Sequence, residues 1–304
     1  MVNSPSLTVV LLTFNEERHI RRCLESLNVI TSSIFIVDSF STDRTVEIAE
    51  SMGAIVKQRK WKNYADQFQW GIDNCGNETE WIMRMDADEY CDPELLQEIS
   101  DTLGQVPDNI DGFYIRRKVF FYGKWIRFGG FYPHILLRIW RRGKGRIEQR
   151  WMDEHIVLSP GSKTLLLKGH LVDDNQKGIT FWINKHNSYA SREMVDLLNR
   201  KYGLIASDES LKKTDVTRNK WKRIIKDELY SKLPIGIRST LYFIYRYFFR
   251  LGFLDGGKGF IWHFMQGYWY RMLVDIKIME IEKRSNGNIE KICQLLFEEH
   301  GIKL

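Results

Sequence analysis

Two aspartates separated by a single residue are the clearest sign of chemistry in this chain. Residues 81–85 are mostly apolar and run directly into Asp86, Ala87 and Asp88. On a strand that continues through them, Asp86 and Asp88 project to one side, because successive side chains alternate between the two faces. Hard cations such as Mg²⁺ and Mn²⁺ prefer oxygen ligands, and two carboxylates leave coordination positions for phosphate oxygens. The pattern predicts a metal and diphosphate site, with a solvated acidic turn as the alternative.

Two earlier apolar segments end in polar residues in the same way. The first precedes Thr13, with Asn15 and Glu17 close behind, and the second precedes Asp38. In doubly wound sheets, ligands bind in the crevice at the carboxyl ends of the strands, where these residues would meet. A carboxylate that ends an apolar strand is costly unless a partner satisfies it, so Asp38 is a strong candidate for binding. For Thr13 and Asn15 the alternative is helix capping.

Helical patterns connect these strands and indicate the order βαβαβαβα. They cover residues 20–27, 45–52, 64–75 and 93–103. From Gly112 onward the pattern changes to aromatic and basic strand segments, and residues 180–202 form a further long helical pattern. The chain is therefore predicted to be an α/β protein.

Three motifs carry a resemblance to a known family. They are T-F-N-E-E at residues 13–17, V-D-S-F-S-T-D-R-T at 37–45 and M-D-A-D-E at 85–89. They resemble the opening motifs of family 2 glycosyltransferases of the GT-A fold, and among these the bacterial enzymes that build lipopolysaccharide core, O-antigen or related surface polysaccharides. The resemblance covers roughly the first half of the chain. It implies a Rossmann-like, mostly parallel sheet flanked by helices, with a C-terminal helical appendage.

The resemblance also implies an activity and a set of ligands. The activity is an inverting transfer from a UDP- or GDP-sugar to a lipid-linked saccharide, with Mn²⁺ or Mg²⁺ as the cofactor. The metal ligands it implies are Asp86, Asp88 and His170, with His155 competing for the third position. The nucleotide contacts it implies are Thr13, Asn15, Glu17, Asp38 and Asp86. Arg84 is a candidate for the diphosphate, or equally for an ion pair with a neighbouring acid.

A base is needed to remove the proton of the acceptor hydroxyl, and a carboxylate suffices. Related surface-polysaccharide enzymes often have His-Glu where this chain has Asp153 and Glu154. Glu154 is therefore expected to be the base, with Asp153 as the second candidate. The alternative is that both are ordinary turn carboxylates.

Length and composition favour one catalytic domain with an appendage. The chain has 304 residues, 43% hydrophobic and 28% charged, which is enough to bury a full core. We expect a catalytic domain over residues 1–215, with a nucleotide-sugar half (1–110) and an acceptor half (111–215). Residues 207–219 are polar enough to be a linker. Residues 216–304 are expected to be a helical, basic and aromatic region.

The charge and the C-terminal composition point to a membrane surface. The net charge is +6 and the pI is near 9.0, which suggests an anionic partner. Residues 221–283 mix aromatic side chains with Lys and Arg, as in helices that lie in the membrane interface. No apolar stretch approaches the ~20 residues that a spanning helix needs. We expect a cytoplasmic protein on the inner face of the membrane; packing on the catalytic domain or in a homo-oligomer is the alternative.

Two competing functions use the same features. A polyprenyl-phosphate sugar transferase shares the N-terminal motifs but attacks with a phosphate oxygen and needs no strong base. A non-enzymatic nucleic-acid binder would also be basic and aromatic. The sequence has no recognised nucleic-acid module, and its acidic clusters would repel phosphates, so no nucleic-acid partner is expected.

Overall fold

The computed structural model describes residues 6–76, 78–148, 154–204, 234 and 236–301. The chain divides into two compact units, Met1–Lys177 and Gly178–Leu304. Asp153 and residues 207–219, two features of the sequence analysis, lie outside the described residues.

The first unit alternates strands and helices through its N-terminal half and is rich in strands afterwards. Its helices are α1 (Ile20–Leu27), α2 (Thr45–Ser51), α3 (Tyr64–Asn74) and α4 (Pro93–Leu103). Its strands are β1 (Leu7–Thr13), β2 (Ser33–Asp38), β3 (Ile55–Gln58), β4 (Trp81–Asp86), β5 (Glu89–Cys91), β6 (Ile110–Phe121), β7 (Lys124–Ile126), β8 (His134–Arg141), β9 (Gly145–Ile147), β10 (Ile156–Leu158) and β11 (Lys163–Asp173).

A nine-stranded sheet forms the centre of this unit, in the order β3-β2-β1-β4-β8-β6-β11-β5, with β7 paired to β6. Strands β3, β2, β1 and β4 are parallel, whereas β8 is antiparallel to both β4 and β6. The α/β prediction is confirmed, but the sheet is mixed rather than mostly parallel. One reason is the tight turn at Tyr122 and Gly123, both with positive φ, which reverses the chain between β6 and β7.

The sheet has a hydrophobic core on each face. Along β1, Val9 and Leu11 pack with α1, α2 and α4, and Val10 packs with α3 on the other side. All three are fully buried. Burial of one such side chain is worth about 1.5–3 kcal/mol, and a strand buried on both faces fixes the point where its polar carboxyl end emerges.

The second unit is helical. It contains α5 (Ile179–Tyr202), α6 (Ile237–Ile244), α7 (Gly256–His263), α8 (Tyr270–Ser285) and α9 (Ile289–His300). π-helical segments follow α6 (Tyr245–Phe249) and α7 (Phe264–Trp269), and a 3₁₀ turn (Gly252–Asp255) precedes α7. Among the described residues, none of the helices combines the length and apolarity that crossing a bilayer requires.

The boundary between the units lies earlier than the predicted 215. Helix α5 was expected in the catalytic domain, but it belongs to the second unit. The reason is a shared core, in which Ala190 of α5 packs with Tyr270 and Val274 of α8. The predicted C-terminal helical appendage is confirmed and begins with α5.

Gly169 provides a test of how α4 is seated on the sheet. A Cβ at this position of β11 would lie 2.3 Å from the backbone N and Cα of Leu95 in the first turn of α4. We predict that Gly169→Ala destabilises the protein by about 1–3 kcal/mol or more, because backbone atoms cannot yield as a flexible side chain does. Urea unfolding measures it. Gly104→Ala, at the other end of α4 with open space around it, is the control, and equal midpoints for the two variants would contradict the prediction.

Candidate functional site

Asp38 holds together the loops that follow β1 and β2. Its carboxylate accepts hydrogen bonds from the hydroxyl of Thr13 (2.8 Å), the backbone N–H (2.8 Å) and hydroxyl (2.5 Å) of Ser41, and the Gln58 amide (3.1 Å). The side chain is completely buried. A carboxylate accepts about four hydrogen bonds, so these donors use its capacity. The partners that this buried carboxylate needs are therefore other residues of the protein.

The next residues fasten the same two loops to each other. Asn15, in the left-handed conformation at φ 55°, donates its backbone N–H to Ser41 Oγ (2.8 Å) and accepts from the backbone N–H of Thr42 (2.8 Å). The backbone N–H of Glu17 donates to Asp43 (3.1 Å), and the Glu17 carboxylate accepts from the N–H of Arg44 (3.2 Å). The structure thus brings together the four residues that were predicted to contact the nucleotide in these loops, Thr13, Asn15, Glu17 and Asp38. Each of them forms a hydrogen bond within or between the two loops.

The two aspartates of the motif lie in different elements. Asp86 ends β4, and Ala87 and Asp88 form the turn that leads into β5. The expectation that strand alternation aligns the two carboxylates is wrong, because the strand stops at Asp86. All three acids of this segment act on the Cys23 thiol: burial and Cys91 raise its pKa, and the charges of Glu89, Asp88 and Asp86 add to that increase.

Asp86 is held by a buried arginine. Its Oδ2 lies 3.4 Å from Arg138 Nη2, and its Oδ1 accepts from the Tyr64 hydroxyl at 2.9 Å. Burial alone would raise the pKa of Asp86, but Arg138, Arg84 and Arg117 outweigh it and hold the pKa well below its ordinary value. Burial raises the pKa of Tyr64, so its hydroxyl keeps the proton that it donates. Asp86 is therefore a carboxylate at neutral pH.

Glu89 shares the same guanidinium. Its Oε1 lies 2.6 Å from Arg138 Nη2, and its Oε2 accepts from the backbone N–H of Asp86 at 3.1 Å. Burial raises the pKa of Glu89, and the charge of Asp86 adds to the increase, against the opposing effect of Arg138. Arg117 lies 3.6 Å from the same carboxylate. Arg117 and Arg138 therefore both pair with acids of the protein.

Asp88 is oriented by the segment that follows β11. The Asn175 amide donates to Asp88 Oδ2 at 2.9 Å, and the backbone N–H of Asp174 donates to the Asp88 carbonyl at 3.1 Å. Arg22 of α1 binds the Asp174 side chain (2.6 Å) and its carbonyl (2.7 Å). Lys177 then reaches Glu16 in the loop after β1 at 2.7 Å. The segment thus joins the turn of Asp88 to the first loop.

Arg84 connects the aspartates to the candidate base. Its Nη1 donates to the backbone carbonyl of Glu154 at 2.8 Å, and its guanidinium lies over the ring of Tyr64, 4.7 Å from the centroid. Arg84 is thus engaged by the Glu154 carbonyl rather than by the ion pair that the sequence allowed. Because Arg84 lies two residues before Asp86 on β4, its hydrogen bond brings the half-buried Glu154 close to the end of this strand.

His170 lies in another cluster. Its Nδ1 is 3.2 Å from Asp92 Oδ2, and its Nε2 is 2.9 Å from the Tyr132 hydroxyl. Burial, reinforced by Lys118, lowers its pKa, so the ring is neutral at pH 7. Within the described ranges, the group of three His, Cys, Asp or Glu side chains whose ligand atoms all lie within 4.8 Å of one another is Asp92, Glu94 and His170. The structure does not bring His170 to Asp86 and Asp88, and both ring nitrogens already have partners.

The alternative histidine ligand, His155, is next to the candidate base in the sequence, and it is exposed. His155 directly follows Glu154, and its carbonyl accepts from the backbone N–H of Glu148 at 2.8 Å. Glu89 and Asn175 belong to the site without having been predicted from the sequence. The signal for Glu89 was a second acid directly after Asp88. The signal for Asn175 was a polar run directly after an apolar strand.

The donor set fits a hard divalent cation. Asp86 is ionised and only partly buried, and Asp88 lies half-buried at the turn beside it. Asn175 is fixed from both ends, because its carbonyl oxygen accepts from the N–H of Lys177 at 2.9 Å while its amide holds Asp88. Two oriented carboxylates with no thiolate ligand are the chemistry that Mg²⁺ and Mn²⁺ prefer.

The family model described as "Glycosyl transferase family 2" matches residues 8–173, which is nearly all of the first unit and more than half of the chain. The chain belongs to this family. The resemblance predicted from the three motifs is confirmed, and the protein is a family 2 glycosyltransferase with a fold of the GT-A class. The matched region covers β1 to β11 except Leu7, and it contains Asp86, Asp88 and Glu154; Asp174, Asn175 and Lys177 follow directly after it.

Relatives of this glycosyltransferase come from several bacteria. An uncharacterized glycosyltransferase of Rickettsia bellii (strain RML369-C) is 40% identical over 93 residues, which is 31% of each chain. The match therefore spans about a third of that relative's length. The lipopolysaccharide core biosynthesis glycosyltransferase LpsC of Rhizobium meliloti (strain 1021) is 28% identical over 201 residues, 63% of this chain and 71% of LpsC.

Solved structures give more distant similarities. S. aureus TarS 1–349 has a TM-score of 0.44 and 14% identity, and the comparison covers 98% of this chain and 92% of that chain. Glucosyl-3-phosphoglycerate synthase from Mycobacterium tuberculosis, in complex with Mn²⁺, UDP and glucosyl-3-phosphoglycerate, has a TM-score of 0.30 and 18% identity over 38% of this chain and 44% of that chain.

Asp38 can be tested as an anchor of the loops. We predict that Asp38→Ala lowers the free energy of unfolding by about 2 kcal/mol, because it leaves the buried hydroxyl of Thr13 and the half-buried donors of Ser41 without an acceptor. Chemical unfolding without ligand measures it. Glu17→Gln, in the exposed part of the same loops, should stay within about 0.5 kcal/mol of the parent. If Asp38→Ala left the midpoint unchanged, the carboxylate would have no structural role.

Proposed function

We propose that this glycosyltransferase transfers a sugar, with inversion, from a nucleoside diphosphate sugar to a hydroxyl of a lipid-linked glycan or lipopolysaccharide acceptor. The observation that carries the proposal is the end of β4. There an ionised Asp86 and an oriented Asp88 lie beside the loops after β1 and β2, and Arg84 links this point to Glu154. The donor diphosphate is expected at the two aspartates and the nucleoside at the two loops.

The aspartates would hold Mn²⁺ or Mg²⁺ together with the diphosphate. The bound cation would act as a Lewis acid that neutralises the charge developing on the leaving diphosphate. Arg138 and Tyr64 keep Asp86 ionised and in one orientation, and Asn175 does the same for the orientation of Asp88. Groups that are already oriented need little rearrangement during the reaction, which is the condition for effective electrostatic catalysis.

Glu154 is the proposed base. Its backbone carbonyl is held by Arg84, so its position is tied to the strand that carries Asp86. A carboxylate there can accept the proton of the acceptor hydroxyl while the bond between sugar and phosphate breaks on the opposite face. Asp153, which lies outside the described residues, remains the second candidate.

The acceptor and the membrane are the finer parts of the proposal. LpsC, which this chain resembles over 63% of its length, is named for lipopolysaccharide core biosynthesis. An acceptor of that class is anchored in lipid, so we place the enzyme at the inner face of the cytoplasmic membrane, attached peripherally. The basic and aromatic helices of the second unit suit such a surface.

A polyprenyl-phosphate sugar transferase remains the second candidate function, because it uses the same donor chemistry. The acceptor atom distinguishes the two. A phosphate oxygen is already ionised and needs no base, whereas a sugar hydroxyl does.

The first test removes one negative charge from the proposed cation site. We predict that Asp88→Asn lowers metal-dependent kcat/KM about 10²-fold or more, because a Lewis-acid metal contributes several kcal/mol and about 1.4 kcal/mol is a factor of ten. Binding of Mn²⁺ alone, followed by electron paramagnetic resonance, should weaken in parallel. Asp73→Asn on the exposed side of α3 makes the same change away from the site and should alter neither. An Asp88→Asn variant with full turnover would refute the cation site.

The second test concerns the base. We predict that Glu154→Gln lowers the rate of sugar transfer about 10²- to 10⁴-fold, the usual contribution of general base catalysis, with little change in nucleotide affinity. Single-turnover kinetics and nucleotide titrations separate the two quantities. Asp153→Asn should have the smaller effect. Full activity after loss of both carboxylates would favour the phosphate acceptor of the second candidate function.

A further inference from the structure

The turn between α6 and α7 exposes an unusual series of apolar side chains. We call residues 248–254, with the sequence FFRLGFL, the tip. Five of its seven residues are large and apolar, and all five are exposed: Phe248, Phe249, Leu251, Phe253 and Leu254. Phe249 is 75% exposed. Scattered exposed apolar residues are normal, but a contiguous group of this kind marks an interaction site.

The tip is built on a fixed base. Directly behind it, the buried pair of His263 and Asp255 joins the two ends of α7, with His263 Nε2 3.1 Å from Asp255 Oδ2. The ring of Tyr247 packs edge-on against Phe253 and Phe260. A Cβ on Gly252 would lie 2.9 Å from the His263 ring, so the backbone of the tip approaches this base as closely as a glycine allows.

Leu251 adds a separate observation. It adopts the left-handed conformation, with φ 60° and ψ 28°, in which a leucine is disfavoured and a glycine is not. Its side chain is 46% exposed, so burial does not compensate for this conformation. An exposed leucine in a conformation that suits glycine indicates that its side chain is used for contact with something outside the unit.

The charge around the tip selects the partner. Between Ile237 and Tyr270 the chain has a single acidic residue, Asp255, which is buried in the pair with His263. Arg250 within the tip and Lys258 just after it are both exposed. An apolar, aromatic tip with exposed cations and no exposed carboxylate is complementary to a bilayer of anionic lipid.

We propose that the tip inserts into the headgroup and acyl boundary of an anionic bilayer and is the membrane contact of this enzyme. The inference deepens the proposed function, because it assigns the peripheral attachment to residues 248–254. The apolar side chains provide the insertion, and Arg250 and Lys258 provide the attraction to anionic lipid.

Vesicle flotation of the full-length chain tests the proposal. The vesicles contain equal parts of phosphatidylcholine and phosphatidylglycerol, and pure phosphatidylcholine vesicles serve as the comparison. We expect the parent to float with the anionic vesicles at low salt and less with the neutral ones. The pair of changes Phe249→Ser and Leu254→Ser should weaken binding by about tenfold or more. Val29→Ser, which changes an exposed valine of the first unit, should float as the parent does.

Three results would overturn the proposal. They are a parent that stays unbound at low salt, a tip variant that floats as well as the parent, and a tip variant that converts a dimer into a monomer in sedimentation velocity. The last would assign the tip to a second copy of the chain. If the double variant does not fold, Phe249→Ser alone carries the test, because this side chain is the most exposed of the tip.

Donor hydrolysis without vesicles separates this proposal from the proposed function. The tip variants should hydrolyse a nucleotide-sugar at the parental rate. Asp88→Asn should lose hydrolysis and still float. Failure of one result leaves the other intact, so the two proposals are tested independently.

Discussion

Arg138 carries a guanidinium group into a part of the first unit that water hardly reaches, and its charge has to be balanced there. Asp86 and Glu89 provide the balance, at 3.4 Å and 2.6 Å from the same nitrogen. Removing one partner of a buried pair typically costs about 3–5 kcal/mol, because the other charge is left uncompensated. The need to pair Arg138 therefore fixes where β4 ends and how Asp86 is oriented. The turn that carries Asp88 starts from that fixed point.

Burial also distinguishes the carboxylates that hold the structure together from those that can bind a ligand. Asp38 is buried with its hydrogen-bonding capacity used by the protein, whereas Asp86 and Asp88 keep part of their surface toward solvent. A site that binds a charged ligand needs carboxylates of the second kind, and it needs the first kind to keep the surrounding loops in place. Asp38, Ser41 and Asn15 thus hold the shape of the two loops where the nucleoside is proposed to bind.

The sequence predicted the parallel half of the sheet well, because each strand there is an apolar run that ends in polar residues and is followed by a helix at regular spacing. It also offered Asp86 and Glu154 as candidates from local motifs, and in the structure Glu154 is hydrogen-bonded to Arg84, two residues before Asp86 on β4. It could not predict that His170 belongs with Asp92, because that contact joins residues 78 positions apart through the pairing of β11 with β5. The position of Asn175 beside Asp88 depends on the same pairing, so the polar run after β11 could mark Asn175 but could not reveal its partner.

In the second unit, too, the sequence alone could not locate the residues that make the proposed contact. Composition indicated a membrane surface for residues 221–283, but charge and aromatic content are spread over the whole segment and do not locate the contact. The fold does so by burying some of these residues and exposing others: Trp262, Tyr270 and Arg246 turn inward, and the five large apolar side chains of the tip turn outward. Since an exposed apolar tip favours aggregation, it persists only where a partner covers it in use. Peripheral attachment through this turn would provide such a partner and cover the exposed apolar side chains.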